Sequence, residues 1–115
     1  MFLGTWIVSD SSKALTATFL RRGTTTPINW TGATSLVFQY RRTGKQASPQ
    51  WTDVAATASG TPTDGTATVY PGTIGGLAPS STGSQKYECR FKGIDVSGFV
   101  YFAPDGDPDI IEIVT

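Results

Sequence analysis

The sequence contains no histidine and a single cysteine, Cys89. Histidine is the usual general base at neutral pH and the commonest ligand of transition metals, so its absence excludes the usual zinc site within one chain. A single cysteine cannot form an internal disulfide. Because Tyr87 and Phe91 flank Cys89 at alternate positions, the pattern predicts a buried free thiol on an inward strand face, and the chain needs no oxidising compartment.

Motifs of catalysis and of cofactor binding are also missing. No GxxxxGK[ST] phosphate loop is present, and the glycines within residues 72–76 lack the strand, the helix and the GxGxxG spacing of a dinucleotide site. Nothing provides a base for a serine or threonine nucleophile, and the acidic residues crowd into turns instead of standing on facing strands. The sequence therefore predicts a protein that is not an enzyme and that uses no cofactor.

Long hydrophobic runs and an excess of one charge are absent as well. Nine basic and nine acidic side chains give a formal net charge of zero, so no overall field draws the protein to nucleic acid or to an anionic membrane. The apolar start, residues 1–10, has no basic leader and no small-residue cleavage site, and it is too short to span a membrane. We expect neither a signal peptide nor a transmembrane segment.

The charges that are present are distributed unevenly along the chain. Residues 1–50 carry six basic side chains and one acidic one, whereas residues 51–115 carry three basic and eight acidic ones, which gives +5 and −5. Neighbouring strands could interleave these charges into mixed surfaces. Alternatively, two oppositely charged faces could stack on neighbouring copies or on partners. The sequence leaves both arrangements open.

Short runs of β-forming residues, divided by turn signals, fill the chain. Residues 14–20 are the most regular, because Leu15, Ala17 and Phe19 alternate with threonines in the period of two of a half-buried strand. Other strands are expected at residues 4–8, 35–42, 51–56, 66–70, 86–94, 98–103 and 109–115. Helical spacing is absent. A chain of 115 residues with about seven to nine short strands predicts one all-β domain, residues 1–115, folded as an antiparallel β-sandwich.

The longest irregular stretch, residues 71–85, contains four glycines and two prolines. We expect it to cross between the two sheets, with a brief helical turn near Leu77. Its length indicates a mobile or partner-contacting segment, so its apolar residues Ile74 and Leu77 are candidate partner contacts.

Three aspartates, Asp105, Asp107 and Asp109, alternate within the sequence PDGDPD near the C-terminal end. Calcium loops begin with such a pattern, but an EF-hand also needs glycine at position 6 and glutamate at position 12. Position 6 is Ile110, and position 12 would fall after Thr115. Proline and glycine instead predict a turn that leads into the last strand, with an irregular calcium site as the alternative. On an exposed corner these carboxylates are also candidate partner contacts.

Two arginine pairs, Arg21–Arg22 and Arg41–Arg42, lie at predicted strand ends. They are the only basic pairs in the chain, so we do not expect nucleic-acid binding. Such pairs are typically solvated at strand ends, but they also frequently contact acidic turns of a neighbouring subunit. All four arginines are therefore candidate partner contacts.

Aromatic residues are the remaining candidates for ligand binding. These candidates are Trp6, Trp30, Trp51, Tyr40, Tyr70, Tyr87 and Tyr101. Together they could form a platform on which a sugar or a base stacks. In a strand-rich chain of this size, packing in the core and at sheet edges also accounts for such residues. Binding of a surface glycan therefore stays open.

Six segments, in order along the chain, resemble a family of small immunoglobulin-like domains in tailed-bacteriophage virion proteins, typified by the N-terminal domain of the phage baseplate upper protein. The matching segments are Leu15–Leu20 (LTATFL), Pro27–Thr34 (PINWTGAT), Val37–Arg41 (VFQYR), Gly65–Tyr70, Ser84–Phe91 and Phe102–Val114. The chain departs from the family pattern by an extra residue near Ser35, a longer connection after Tyr70 and a longer acidic turn. The resemblance implies an immunoglobulin-like sandwich, no catalytic residues, and assembly into tail or baseplate structures.

The residues and the resemblance together predict a non-enzymatic structural protein of a bacteriophage virion, located in the tail or baseplate or decorating the capsid surface. Its expected partners are other virion proteins and copies of itself, without nucleic acid, membrane, metal or cofactor. The alternative is a carbohydrate-binding module that holds the phage to a host or mucosal surface. A calcium-dependent hydrolase fragment is a second alternative.

Overall fold

The computed structural model describes residues 1–21, 23–43, 50–58, 60–79 and 83–115. Within these ranges the chain forms nine strands and two single-turn 3₁₀ helices, so the prediction of an all-β protein is confirmed. The strands are β1 (Phe2–Ile7), β2 (Leu15–Thr18), β3 (Ser35–Arg42), β4 (Thr52–Ala55), β5 (Thr57–Ala58), β6 (Thr66–Val69), β7 (Ser84–Ile94), β8 (Val100–Ala103) and β9 (Asp109–Val114); the helices are Pro62–Asp64 and Pro71–Thr73. None of the helices in these ranges has the length and apolar character needed to cross a membrane.

The strands form two sheets that pack together as a sandwich, as predicted. The larger sheet has six strands in the order β1-β9-β7-β3-β4, with β8 paired to β7, and the smaller sheet has the order β2-β6-β5. One pair departs from the antiparallel expectation, because β1 runs parallel to β9. After β1 the chain passes into β2 of the other sheet, so no hairpin fixes the direction of β1 relative to β9.

Alternation of side chains along the strands builds the core between the sheets. Strand β7 directs Tyr87, Cys89, Phe91 and Gly93 inward and the residues between them outward. From the smaller sheet, Leu15 is buried while the threonines of β2 are exposed, as the sequence pattern predicts. The buried residues form one cluster that contains Trp6, Leu15, Phe19, Ile28, Trp30, Phe38, Tyr40, Ala67, Val69, Leu77, Tyr87, Cys89, Phe91, Ala103, Ile111 and Ile113.

Trp30 closes one end of this core. Its ring packs edge-on against Phe19, with ring centroids 4.9 Å apart, and a Cβ atom on Gly93 would lie 2.2 Å from the indole. The indole Nε1 has no hydrogen-bond partner in the described part of the chain. Burying an indole removes roughly 200 Å² from water, worth about 5 kcal/mol, which exceeds the roughly 1–3 kcal/mol cost of an unsatisfied donor.

The predicted crossing between sheets is confirmed, because within residues 71–85 the chain passes from β6 of the smaller sheet to β7 of the larger one, which begins at Ser84. Residues 80–82 of this stretch lie outside the described ranges. The helical turn lies at Pro71–Thr73 and not near Leu77, because proline favours the first position of a helix. Leu77 is only 1% exposed and Ile74 packs against the core, so the prediction that Leu77 contacts a partner is wrong.

Strands β8 and β9 lie end to end along the same edge of β7. Two cross-strand pairs bracket the break between them: Phe91 with Ala103, and Cys89 with Asp109. Residues 104–108 therefore form a bulge opposite Arg90 alone. Gly106 in this bulge has a φ of +153°, which favours glycine. The predicted turn before the last strand is confirmed, and it lies beside an outward-facing arginine.

Candidate functional site

The outward side chains of β3, β4, β7 and β8 make up the outer face of the larger sheet. At its centre four side chains form a continuous chain of contacts, which we call the arginine–aromatic row: Arg41, Trp51, Arg90 and Phe102. The guanidinium carbon of Arg41 lies 4.2 Å from the Trp51 ring centroid, and that of Arg90 lies 4.3 Å from the centroids of both Trp51 and Phe102. A cation over an aromatic ring contributes roughly 0.5–2 kcal/mol, depending on its desolvation.

The pairing of strands brings the row together. Gln39 lies opposite Arg90 and Arg41 lies opposite Glu88 in the antiparallel pair of β3 and β7. Side chains at such opposed positions point to the same side of the sheet. Trp51 directly precedes β4, the other neighbour of β3, and Phe102 lies on β8, the other neighbour of β7. Four separate chain segments therefore supply one set of contacts.

Gln39 fixes the orientation of Arg90. This glutamine is only 5% exposed, and its Oε1 accepts a hydrogen bond from the Arg90 Nε at 2.7 Å. Its Nε2 donates to the Asp53 Oδ1 at 2.9 Å. Both ends of the buried amide are thus used, as a buried polar group requires. The Arg90 guanidinium is held by one hydrogen bond at its edge and by aromatic rings.

The two arginines of the row differ in their ionic partners. The Arg41 Nε lies 2.7 Å from the Glu88 Oε2, in a pair whose side chains are both about one-third exposed or less. Among the described residues, Arg90 has no carboxylate oxygen within 4.0 Å of its nitrogens. Partial burial, followed by the positive charge of Arg41, lowers the pKa of Arg90, and Asp53 opposes this shift. Arg90 is therefore a partly desolvated cation without an ion pair in this part of the chain.

This arrangement is suited to recognition. Guanidinium groups donate hydrogen bonds in a fixed fork and do not act as bases near neutral pH. Tryptophan and arginine are also the residues that most often dominate the binding energy of protein interfaces, particularly at the centre of the contact. The row places two arginines and two aromatic rings at the centre of a sheet face. It can bind a partner group, especially an anionic one.

The predicted basic contacts fall into different environments. Arg21 is exposed and lines a surface hollow of about 270 Å³ together with Asp105. Arg22 lies outside the described residues. Arg41 belongs to the row, so the interpretation of Arg41 as a solvated strand end is wrong, and Arg42 is half-buried at the end of β3.

The three aspartates of the turn before β9, which we call the acidic turn, lie in different environments. Asp105 and Asp107 are exposed, whereas Asp109 is partly buried and lies 3.4 Å from the amino group of Met1. In the described ranges no three histidine, cysteine, aspartate or glutamate residues gather as metal ligands do. The structure therefore gives no support to the alternative of an irregular calcium site at these residues.

The seven aromatic residues that the sequence offers as a possible platform do not form one surface. Trp6, Trp30, Tyr40 and Tyr87 are buried in the core. Trp51 is half-buried, and the guanidinium groups of two arginines lie over its ring. A sugar would therefore compete with two guanidinium groups for the surface of this indole.

Charges from the two halves of the chain interleave on the larger sheet. Strand β3, from the basic half, lies between β4 and β7 from the acidic half. The ion pairs Arg41–Glu88 and Met1–Asp109 each join one half to the other. Of the two arrangements that the sequence leaves open, this sheet shows the mixed surface.

The predicted buried free thiol is confirmed at Cys89, which is 1% exposed. Burial, followed by the nearby charge of Asp109, raises the pKa of the Cys89 thiol to about 12. A thiol that stays protonated at neutral pH is a poor nucleophile. Cys89 therefore belongs to the core beneath the row.

Arg90, Gln39 and Phe102 are the site residues that the sequence does not identify. Polar residues alternate with buried ones along β7, which predicts that Arg90 points outward. That alternation contains no information about which residues of other strands lie beside Arg90. The sequence therefore indicates that Arg90 is on the outer face, but it does not indicate that Arg90 contacts Gln39 and Phe102.

Comparison with known proteins does not assign the chain to a family. No protein-family model matches the sequence, and no curated protein matches it. The arginine–aromatic row is therefore the strongest indication of function in the described part of the chain.

Proposed function

We propose that this chain is a non-enzymatic assembly module that binds another protein through the outer face of the larger sheet. The observation that carries this proposal is the arginine–aromatic row, with Arg90 held between Trp51 and Phe102. A fold needs no partly desolvated arginine on a sheet face, whereas a binding site uses such a residue as an anchor.

The assembly that we propose is a bacteriophage particle, in which the chain is part of the tail or baseplate or decorates the capsid surface. The support is the resemblance of Leu15–Leu20, Pro27–Thr34 and Val37–Arg41 to the small domain of phage virion proteins. The first and third of these segments overlap β2 and β3, so the matching residues belong to the sandwich itself. The proposed partners are other virion proteins and copies of this chain.

The order of strands supports the further proposal that the sandwich is of the immunoglobulin type. In that type, the second, fourth and fifth strands share one sheet, while the third, sixth and seventh share the other, which an additional strand can extend beside the third. Here β2, β5 and β6 form the smaller sheet. Strands β3 and β7 and the β8–β9 edge lie in the larger sheet, with β4 beside β3.

Mass spectrometry of purified particles tests the assignment to a virion. We expect the chain in particles that have been washed and separated on a density gradient, in a fixed ratio to a major capsid or tail protein. We also expect the neighbouring genes to encode capsid, tape-measure or baseplate proteins. Particles that lack the chain, with all of it left in the soluble lysate, would contradict the proposal.

A second candidate function, glycan binding, is favoured by a cleft between the two sheets. This open cleft of about 350 Å³ is lined by Tyr70 and by the threonines Thr57, Thr68 and Thr73. Tyr70 is 45% exposed, so its ring is accessible to a sugar. An exposed aromatic ring beside several hydroxyl groups can stack on a neutral glycan and form hydrogen bonds with it.

A glycan array, followed by a titration of the Tyr70→Ala variant, separates the two candidates. Glycan binding predicts a saturable signal for the wild type that the variant loses. The corresponding change in the row, Trp51→Ala, would leave such a signal intact. If no glycan on the array binds, the assembly module is the function that stands.

A further inference from the structure

The acidic turn, residues 104–108, adjoins the Phe102 end of the arginine–aromatic row, at the break between β8 and β9. Residues 104–108 bulge out opposite Arg90, and the row residue Phe102 is located just before this bulge. Within the bulge, Asp107 is exposed. The backbone of Arg90 and the bulge that carries Asp107 thus lie side by side at the break between β8 and β9.

These neighbouring charges do not neutralise each other within the chain. Over the described ranges, Asp107 makes no ion pair and no side-chain hydrogen bond. Arg90 uses its Nε for Gln39, and its two terminal amino groups have no partner in the same ranges. The side chains that hold Arg90 also prevent it from turning freely toward the bulge. The two terminal amino groups of Arg90 are therefore available to a carboxylate of another molecule.

We propose that the outer face of the larger sheet binds a second copy of this chain, with Arg90 of each copy receiving Asp107 of the other. This inference rests on the proposed function and names the partner of the same site. A two-fold contact requires one patch that contains both halves of the interaction. Because Arg90 and the bulge that carries Asp107 lie side by side, one two-fold rotation can bring each residue against its counterpart and form two equal ion pairs.

The size and the composition of the face fit a pair of copies. The molecule measures 43 × 28 × 22 Å, so either of its two larger sides is wide enough for the about 800 Å² per partner that a standard interface buries. Trp51 and Phe102 supply aromatic area next to the ion pair, and Val100 is 50% exposed at the same edge. The contact thus has an apolar centre beside a charge pair, as stable interfaces do.

Sedimentation velocity with charge-swapped variants tests this pairing. The wild type is expected to dimerise, with weaker association at high salt because salt screens the partly exposed pair. Arg90→Glu and Asp107→Arg should each raise the dimer dissociation constant at least ~tenfold, since each homodimer then opposes two like charges.

An equimolar mixture of the two variants should restore the dimer. In the mixed pair, residue 90 and residue 107 are oppositely charged at both contacts, once in the native order and once reversed. The mixture should therefore sediment as a one-to-one heterodimer. Thr16→Glu, which adds a negative charge on the smaller sheet, is the control and should dimerise like the wild type.

Each result of these sedimentation experiments either supports or overturns the proposed dimer. A wild type that stays monomeric at high protein concentration, single variants that dimerise normally, or a mixture that fails to recover would each overturn the proposal. If Arg90→Glu does not fold, as judged by its thermal melt, Arg90→Lys keeps the charge without the fork and should weaken the dimer measurably. A chain that is found in particles but is monomeric overturns only this inference, while a dimer that is absent from particles overturns only the virion assignment.

Discussion

The two outer faces of the sandwich follow the same alternation and carry different chemistry. The larger sheet presents guanidinium groups, carboxylates and aromatic rings, which contact each other across four chain segments. The smaller sheet presents threonines: Thr16, Thr18, Thr57, Thr66 and Thr68. The hydroxyl groups of Thr16 and Thr68 share a hydrogen bond of 3.1 Å across the strand pair.

The difference between the two faces distinguishes side chains that the fold needs from side chains that we propose serve binding. Threonine suits a strand because its branched side chain packs well on a pleated surface, and its hydroxyl bonds locally or to water. The smaller sheet shows that a face of this sandwich can be formed by threonines without charged or aromatic side chains. The larger sheet instead holds Arg90 partly desolvated and close to the positive charge of Arg41, which lowers the pKa of Arg90. We assign that unfavourable arrangement to recognition.

Raising the pH should weaken the layer beneath the larger sheet, where Cys89 is buried. Its pKa is raised from 9.0 to about 12, so between these values the unfolded chain loses the thiol proton and the folded chain keeps it. The free energy of unfolding therefore falls as pH rises through this window, by up to about 4 kcal/mol. Denaturant melts of the wild type and of Cys89→Ala check this, because only the wild type should show this contribution. Parallel pH curves would contradict it.

Adding a side chain at Gly93 should destabilise the larger sheet, because the Trp30 ring already occupies the space next to this residue. The added methyl group in Gly93→Ala would lie 2.2 Å from the Trp30 ring, and we expect a loss of about 3 kcal/mol from overpacking. Gly75→Ala is the matched control, because no atom lies within 4 Å of a Cβ at that position. Thermal melts compare the two variants. Equal melting temperatures would show that Trp30 can move aside at little cost.

Removing the buried amide should disturb the row while leaving the core in place. Gln39→Met keeps the length of the side chain but removes the partners of the Arg90 Nε and of Asp53. We expect a loss of about 1–3 kcal/mol, because the partly buried Arg90 Nε is left without an acceptor, whereas the exposed Asp53 carboxylate can bind water instead. Urea unfolding measures this cost, and sedimentation should show weaker dimers. An unchanged free energy of unfolding would mean that water replaces the amide.

The smallest effect is expected on the threonine face. Thr16→Val removes an exposed hydroxyl and keeps the branched shape, so the free energy of unfolding should change by less than about 0.5 kcal/mol. Self-association should also stay unchanged. A loss comparable to that of Gln39→Met would remove the distinction between the two faces.

The strands and the turn before β9 could be predicted from the sequence, because they depend on local patterns of residues. The strands around Leu15, Phe38 and Cys89 follow alternating polar and apolar residues, and alternation depends only on neighbours along the chain. The turn before β9 follows in the same way from proline and glycine. These features could be placed without knowing which strands are paired.

The features that depend on distant contacts could not be placed. Leu77 lies in a glycine-rich connection, where nothing local indicates that its side chain turns into the core. The row requires Arg41, Trp51, Arg90 and Phe102 to meet, and this depends on the register of three strand pairs. A shift of one residue in any of these pairs would turn one member of the row inward.

Amide chemical shifts, recorded by NMR at high and at low protein concentration, test most directly whether the larger sheet provides the binding face. Binding through the larger sheet predicts shift changes at residues 51–53, 88–92 and 102–107, and constant shifts at the threonines of β2 and β6. Changes that were confined to the threonine face, or no change over the whole concentration range, would contradict it.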